Sequence, residues 1–314
     1  MSRRRAWAEL LRLPALFTVP GDALSGAVAA GARPGPRTLL AIGSSLCLYE
    51  AGMALNDWAD RAEDAAERPH RPLPSGRIRP SSALAAACAL TAAGLGLAAG
   101  AGRPALAVAA PLAATVWAYD LGLKHTPAGP VTMAAARGLD HLLGAAATTG
   151  RPRAALSSAA LLGTHTLAVT TVSRRETQGG TSLPPLAALA ATAVLTRVLA
   201  RGEGAGAPGA SGRAGPSVRT GALGNGSMGG GSAPGRALRT GLAAAYAVTA
   251  GRPYTHAALN PSPPLTQRAV GGGIRATIPL QAALAARAGA GLTALAIAAL
   301  APLGRRYAKK VSIT

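Results

Sequence analysis

The chain has few acids, few aromatic residues and only two cysteines. Of its 314 residues, 12 are Asp or Glu and 3% are aromatic. Cys47 and Cys88 both fall inside apolar segments and form neither a disulfide framework nor a thiolate metal site. The shortage of rings excludes a stacking platform for single-stranded nucleic acid. The formal charge of +20 therefore suits anionic lipid better than DNA or RNA.

Small apolar residues make up much of the rest. Hydrophobic residues are 49% of the chain, charged residues 14%, and the mean hydropathy is +0.26. Stretches this apolar do not match a water-facing surface. Their Ala and Gly content allows membrane helices to approach closely. The composition predicts an all-α, polytopic transmembrane helical bundle.

About nine segments are long enough to cross a bilayer, at roughly 20 residues each. They are predicted at 10–32, 37–56, 82–101, 104–122, 129–149, 153–172, 183–200, 237–250 and 276–302. Residues 202–235 are rich in Gly, Ser and Ala and predict a flexible loop between spans seven and eight. We treat 1–314 as a single membrane domain.

Basic residues beside the spans predict the orientation, because short cytoplasmic loops carry the excess of Lys and Arg. Arg3, Arg4 and Arg5 place the N-terminus inside the cell. Alternation then assigns four further loops to the cytoplasmic side of the plasma membrane, at 57–80, 123–128, 173–182 and 251–275.

Acidic and basic residues concentrate between the second and third predicted spans. On a helix, Asp57, Asp60 and Asp64 stand at positions i, i+3 and i+7, within one stripe of roughly 60°. Carboxylates so placed repel one another unless a cation lies between them. One or two carboxylates together with substrate phosphates are the usual ligands of Mg²⁺. The pattern predicts a site for a divalent metal and a phosphate group.

Arginines and prolines follow these acids. Arg68 and Arg71 supply guanidinium groups that bind phosphate oxygens in a fork geometry, and Pro69, Pro72 and Pro74 restrict the loop between them. The alternative interpretation is a hydrophilic loop whose acids and bases neutralise each other.

Together these residues resemble the first aspartate-rich motif of the UbiA-type intramembrane prenyltransferases. The match is Asn56-Asp57-x-x-Asp60-x-x-x-Asp64, followed by Arg68-Pro69-x-Arg71-Pro72-Leu73-Pro74-Ser75-Gly76-Arg77. The resemblance implies a helical bundle of about nine spans. It also implies transfer of a prenyl group from a prenyl diphosphate to an acceptor, with Mg²⁺ held on the cytoplasmic side.

The resemblance also assigns roles to individual residues. Asn56, Asp57, Asp60 and Asp64 would hold the Mg²⁺-diphosphate, and Arg68 and Arg71 would contact its phosphates. Two further contacts would come from Tyr119 and Lys124, which resemble the Tyr and Lys that follow the fourth span in the family. The spacing between Tyr119 and Lys124 is one residue longer than the commoner arrangement. The alternative role for this pair is anchorage at the membrane interface.

Ionisable residues also occur inside the fifth predicted span. Arg137 and Asp140 stand at i and i+3, with His141 beside them. Such residues at membrane depth face a cavity or pair with one another. We expect Arg137 and Asp140 to line the substrate pocket, although mutual pairing alone would also account for them.

The sequence departs from the family at the second aspartate-rich motif, expected between spans six and seven. Here it has two arginines, Arg174 and Arg175, and one acid, Glu176. The arginines would serve as fixed cations against the diphosphate, and Glu176 remains a candidate metal ligand. This altered motif is similar to the EboC-like branch, which implies a role in making or exporting a specialised metabolite with partner proteins.

The sequence therefore predicts a Mg²⁺-dependent prenyltransferase acting on a small-molecule or lipid acceptor. Asp140, Glu50 and Glu176 are candidates to take the acceptor's proton. Glu50 has the alternative role of a helix-packing residue hydrogen-bonded to a neighbour. The rival function is a non-catalytic membrane subunit that binds an isoprenoid and passes it on, because the second motif is altered.

Overall fold

The described part of the chain folds into α-helices. A computed structural model describes residues 3–174, 180–201 and 232–311, and within these ranges it contains twelve α-helices and no strand. The helices are α1 (Arg3–Leu10), α2 (Pro20–Ala29), α3 (Pro36–Ala59), α4 (Arg61–Glu67), α5 (Pro80–Ala101), α6 (Arg103–Leu121), α7 (Gly129–Thr149), α8 (Leu156–Ser173), α9 (Leu183–Ala200), α10 (Ala233–Leu259), α11 (Pro263–Arg287) and α12 (Gly291–Val311). The all-helical prediction is confirmed.

Proline marks the start of most of these helices. It occupies the first or second position of α2, α3, α5, α6, α7, α9, α10 and α11, where its missing N–H breaks no helical hydrogen bond. Because prolines also bound the apolar runs, six predicted spans coincide with helices to within a few residues. They are 37–56, 82–101, 104–122, 129–149, 153–172 and 183–200.

The first and the last two predicted spans differ from the structure. The segment 10–32 is broken by a 3₁₀ turn at Leu13–Thr18 before α2. The predicted loop 251–275 is wrong, because α10 continues to Leu259 and α11 begins at Pro263. Residues 233–235 of the predicted flexible loop 202–235 belong to α10, and the rest of that loop, apart from residue 232, lies outside the described residues.

The predicted span 276–302 is two helices. Its middle contains Gly289, whose φ of 78° is strained for any residue with a Cβ. The N–H groups of Gly289 and Ala290 donate to the carbonyls of Ala286 and Ala285, which ends α11. Within the described ranges, five helices are long and apolar enough to cross a membrane, so the count of nine is not confirmed.

Two groups of helices form the bundle. α2, α3, α5, α6 and α7 share one apolar core, and α8 to α11 share another. The groups meet where α7 packs on α8 and α2 packs on α11. A Cβ on Gly26 would overlap the His141 backbone, and one on Gly144 would overlap that of Ala23. The small residues thus bring α2 and α7 into backbone contact.

Candidate active site

The acidic segment lies at the end of α3 and continues into α4, with Asp60 between the two helices. The Asp60 N–H still donates to the Asn56 carbonyl at 2.9 Å, and the Asp64 N–H donates to the Asp60 carbonyl at 2.8 Å. Asp60 nevertheless ends α3 and precedes α4. Asp57 and Asp64 face one set of cations, and Asp60 faces another.

Arg71 joins the first two carboxylates. Its Nη1 lies 2.7 Å from Asp64 Oδ2 and 3.8 Å from Asp57 Oδ1. Arg68 lies 3.8 Å from Asp64 on the exposed side. Asp57 and Asp64 are only 5% and 3% exposed, so their charges interact in a medium less polar than water. The arginines predicted for the diphosphate thus lie directly beside the carboxylates predicted for the metal.

Asp60 faces the segment that follows α6. A 3₁₀ turn over Leu123–His125 places Lys124 Nζ 2.5 Å from Asp60 Oδ1. The longer spacing after Tyr119 therefore does not keep Lys124 from the acidic segment. His125 lies 3.9 Å from the same oxygen, and its ring forms a group with the carboxylates of Asp60 and Glu63. From its position in the sequence alone, His125 had no link to the site.

Asp120 was not identified from the sequence. It is buried beside Asn56, whose Nδ2 donates to Asp120 Oδ1 at 3.1 Å. The signal for Asp120 in the sequence is its position directly after Tyr119, a predicted diphosphate contact. With Asp120 included, four carboxylates meet at the end of α3.

Arg12 was also missed, because it lay inside a predicted apolar span. Its Nη2 lies 3.3 Å from Asp57 Oδ1. Its backbone is left-handed, with φ 48° and ψ 44°, a conformation that costs a residue with a side chain roughly 1–3 kcal/mol. Arg12 thus combines an unfavourable backbone conformation with an ion pair to Asp57.

A cavity of about 260 Å³ opens beneath the carboxylates between α3, α6 and α7. Arg12, Asn56, Tyr119 and Asp120 line its mouth, and Leu48, Met53, Leu112, Val116 and Met133 supply apolar walls. Ser45, Arg137 and Asp140 close its far end, eleven residues along α3 from Asn56, or about 16 Å at 1.5 Å per residue. The cavity is thus apolar between two polar ends.

The far end is held by contacts among four helices. Arg137 pairs with the fully buried Asp22 of α2 at 3.1 Å, instead of with its predicted partner Asp140. Gln281 of α11 donates to the Asp22 carboxylate at 2.7 Å. Ser45 of α3 donates to Asp140. Asp22 and Gln281 were not identified as site residues from the sequence.

His141 and Glu50, two further ionisable residues of the predicted spans, are buried between helices. His141 lies between Ser25 and Ser158, at 3.1 and 2.7 Å, in a contact of α2, α7 and α8. Glu50 is buried on α3, and within the described residues neither carboxylate oxygen has a hydrogen-bond partner. The expected hydrogen bond from Glu50 to a neighbour is therefore absent there.

The second predicted motif is only partly described. Arg174 is exposed and donates to the Thr126 carbonyl, one residue beyond His125. It thus lies at the end of the bundle that carries Lys124. Arg175 and Glu176 lie outside the described residues.

The loop after Arg71 is held to the N-terminal helix. Arg77 donates to both carboxylate oxygens of Glu9, at 2.7 and 3.1 Å. This hydrogen bonding raises the pKa of Arg77 above its ordinary value. The contact ties α1, and with it Arg12, to the loop that supplies Arg71.

Sequence and structure comparisons identify relatives. The model of the UbiA prenyltransferase family matches residues 16–200. Digeranylgeranylglyceryl phosphate synthase of Methanopyrus kandleri is 36% identical over 128 residues, 39% of this chain and 45% of that protein. The Natronomonas pharaonis protein of that name is 32% identical over 170 residues, 54% of this chain and 61% of that protein. The matches thus span about half the length of these curated relatives.

Solved structures share the fold. An apo UbiA homologue from Aeropyrum pernix K1 superposes with a TM-score of 0.62 at 17% identity, over 86% of this chain and 96% of that one. A chain from a study of digeranylgeranylglyceryl phosphate synthase in membranes gives 0.58 at 16% identity, over 93% of this chain and 100% of that one. From the family match over more than half its length, this integral membrane chain belongs to the UbiA prenyltransferase family.

Proposed function

We propose that the protein is a Mg²⁺-dependent prenyltransferase that moves a prenyl group from a prenyl diphosphate to a small-molecule or lipid acceptor. The observation that carries this proposal is a cluster of carboxylates and cations at the end of α3, from which Arg12, Asn56 and Asp120 line an apolar cavity inside a membrane bundle. The names of the curated relatives support prenyl transfer.

The residues at the mouth fit a magnesium site. Asn56, Asp57, Asp60 and Asp64 offer the oxygen ligands that Mg²⁺ prefers, and Asp120 adds a further carboxylate beside Asn56. When bound, Mg²⁺ would stabilise negative charge on the leaving diphosphate. Arg12, Arg68, Arg71 and Lys124 already lie beside Asp57, Asp60 and Asp64. The charge of the carboxylates that would hold the metal is therefore largely balanced by basic side chains of the chain itself.

Four basic side chains of this chain would bind the phosphate oxygens. Arg12, Arg71 and Lys124 each contact a carboxylate of the cluster within 3.3 Å, and Arg68 lies within 3.8 Å of Asp64. Guanidinium groups suit phosphate geometry. We propose that these groups turn from the carboxylates to the diphosphate and stabilise it as the allylic C–O bond breaks. Arg174 and Arg175 are proposed to act from the same end.

The cavity supplies the apolar part of the site. Its walls would hold the prenyl chain and exclude water from the allylic cation until the acceptor attacks. Asp140, a predicted proton acceptor, accepts a hydrogen bond from Ser45, which lies about 16 Å along α3 from Asn56 at the mouth. We therefore propose Asp120, which lines the cavity beside Asn56, as the proton acceptor and assign Asp140 to the polar far end.

The orientation is a related proposal. Lys124 contacts Asp60, Arg174 contacts Thr126, and the Gly180 N–H donates to the Pro261 carbonyl at 2.8 Å. The turns after α3, α6, α8 and α10 therefore share one end of the bundle. We propose that this end, with the N-terminus, faces the cytoplasm at the plasma membrane.

The proposed activity is tested on the purified full-length chain. Labelled prenyl diphosphates of several lengths would be supplied with and without Mg²⁺, with membrane extracts as the source of acceptor. We expect Mg²⁺-dependent transfer or diphosphate release. Asp60→Asn should reduce it by about 100-fold, the usual effect of removing one group that stabilises transition-state charge.

Glu67→Gln is the matched control, because Glu67 is exposed on α4 and its side chain makes no hydrogen bond or ion pair within the described residues. It should keep the activity of the unaltered chain. Tight Mg²⁺-dependent binding of prenyl diphosphate without turnover, in extracts of several kinds, would instead identify the chain as an isoprenoid-binding subunit.

A further inference from the structure

A second cavity lies on the same end of the bundle, outside the candidate active site. It measures about 280 Å³ and is formed where α1 meets the loop that precedes α5. Its lining residues are Trp7, Gly76, Arg77, Ile78, Arg79 and Ser82. Because α5 is long and apolar enough to span a membrane and begins at Pro80, this cavity lies at the boundary between the bilayer and water.

Three side chains around this cavity have hydrogen-bond donors that the protein leaves unused. Within the described residues, the Trp7 indole N–H, the Arg79 guanidinium and the Ser82 hydroxyl make no side-chain hydrogen bond or ion pair. In contrast, the neighbouring Arg77 side chain donates hydrogen bonds to Glu9, Ser75 and the His70 carbonyl. Arg77 therefore fixes the wall of the cavity, and the other three groups remain available to a ligand.

The charge around the cavity selects an anion. Arg77 neutralises Glu9, the acid that α1 brings nearby, and leaves the charge of Arg79 uncompensated. α1 adds Arg4 and Arg5 on its exposed surface. A guanidinium, a hydroxyl and an indole N–H together suit the several oxygens of one phosphate group. An indole ring at the headgroup level is also typical of membrane interfaces.

We propose that this cavity binds the phosphate group of an anionic phospholipid, held by Arg79, Ser82 and Trp7. The lipid would bridge α1 and the N-terminal end of α5. Since α1 leads directly into Arg12, occupancy would also steady the arginine that contacts Asp57. The site stands apart from the proposed prenyl transfer and does not depend on it.

Native mass spectrometry of the detergent-purified full-length chain tests the site, with phosphatidylglycerol, phosphatidylcholine and inorganic phosphate as separate probes. We expect the first phosphatidylglycerol to bind more tightly than phosphatidylcholine. Arg79→Ala should weaken its binding about five-fold, the attraction lost with one surface arginine, and Arg79→Lys should weaken it less. Ser82→Ala should weaken it in the same direction.

Arg103→Ala is the matched control, because Arg103 is exposed at the start of α6, next to the opposite end of α5. It should leave phosphatidylglycerol binding unchanged. Equal losses in Arg79→Ala and Arg103→Ala would show diffuse surface attraction and overturn the site. Binding of inorganic phosphate that depends on Arg79, without a preference for phosphatidylglycerol, would overturn the lipid assignment.

Discussion

Arg12 combines an unfavourable backbone conformation with a favourable side-chain ion pair. Its left-handed φ of 48° disfavours every residue except glycine and, to a lesser degree, Asn and Asp, yet its guanidinium reaches the carboxylate of Asp57. Replacing Arg12 by glycine relieves the backbone strain and removes the charge. The melting temperature reports the first effect and the KM for prenyl diphosphate reports the second.

We expect Arg12→Gly to leave the melting temperature nearly unchanged. Its KM for prenyl diphosphate should rise about ten-fold or more, as expected for losing a hydrogen bond to a charged group. Thermal unfolding in detergent and steady-state transfer kinetics measure the two quantities. Arg61→Ala serves as control, because Arg61 contacts Trp58 and not the carboxylates. A large fall in melting temperature with unchanged KM would assign Arg12 a structural role only.

Residues of the site differed in how far they could be predicted. Asn56, Asp57, Asp60 and Asp64 stand in one short motif, so the sequence was sufficient to select them. Arg12, Asp22, Asp120 and Gln281 are isolated acidic, basic or amide residues within apolar runs, and only packing of distant helices brings them together. Their roles depend on tertiary contacts that local spacing does not contain.

At the level of helices, the buried pair Asp22–Arg137 connects α2 with α7. Removing one partner leaves the other charge buried, which typically costs about 3–5 kcal/mol. We expect Asp22→Asn to destabilise the bundle by about 3 kcal/mol, and the double variant Asp22→Asn, Arg137→Gln to recover part of that loss. Denaturant unfolding in mixed micelles, followed by circular dichroism, measures this cycle. Additive losses in the double variant would show that the two charges do not interact.

The close backbone contact between α2 and α7 predicts that a larger residue at Gly26 destabilises the bundle. Gly26→Ala places a methyl group against the His141 carbonyl, and such overpacking typically costs about 1–3 kcal/mol. In α5, a Cβ on Gly96 meets no atom within 4 Å, so Gly96→Ala should be neutral or slightly stabilising. Melting temperatures of the two variants in one detergent test the difference. Equal shifts would mean that α2 and α7 pack less closely.

Helices were predictable where one apolar run filled the whole element. α5 and α9 are such cases, and their predicted bounds hold. The spans predicted for α10 and α11 omit the end of α10 and the start of α11, because Arg252, Arg268 and Arg275 lower the local hydropathy. In the structure these arginines are exposed, while Tyr254, Ala269 and neighbouring small residues pack inward. An average over a window does not separate the two faces of an amphipathic helix.

For the whole molecule, the sequence predicts one membrane domain interrupted by the segment 202–235. The helices on either side are in direct contact, because α9 packs against α10 and Arg239 Nε donates to the Ala200 carbonyl at 3.2 Å. The two ends to be joined are therefore close. If the long segment is only a connection, a much shorter one should replace it.

We expect replacement of residues 204–229 by about eight Gly and Ser residues, which span up to about 26 Å, to preserve both helix content and prenyl transfer. The shorter loop costs less entropy to close, so stability should rise by about 1 kcal/mol. Joining Arg201 directly to Ser232, which would hold their Cα atoms about 3.8 Å apart, is the control expected to disturb the packing of α9 on α10. Loss of transfer with intact helix content in the longer replacement would instead show that the segment contributes to activity and is more than a connection within one domain.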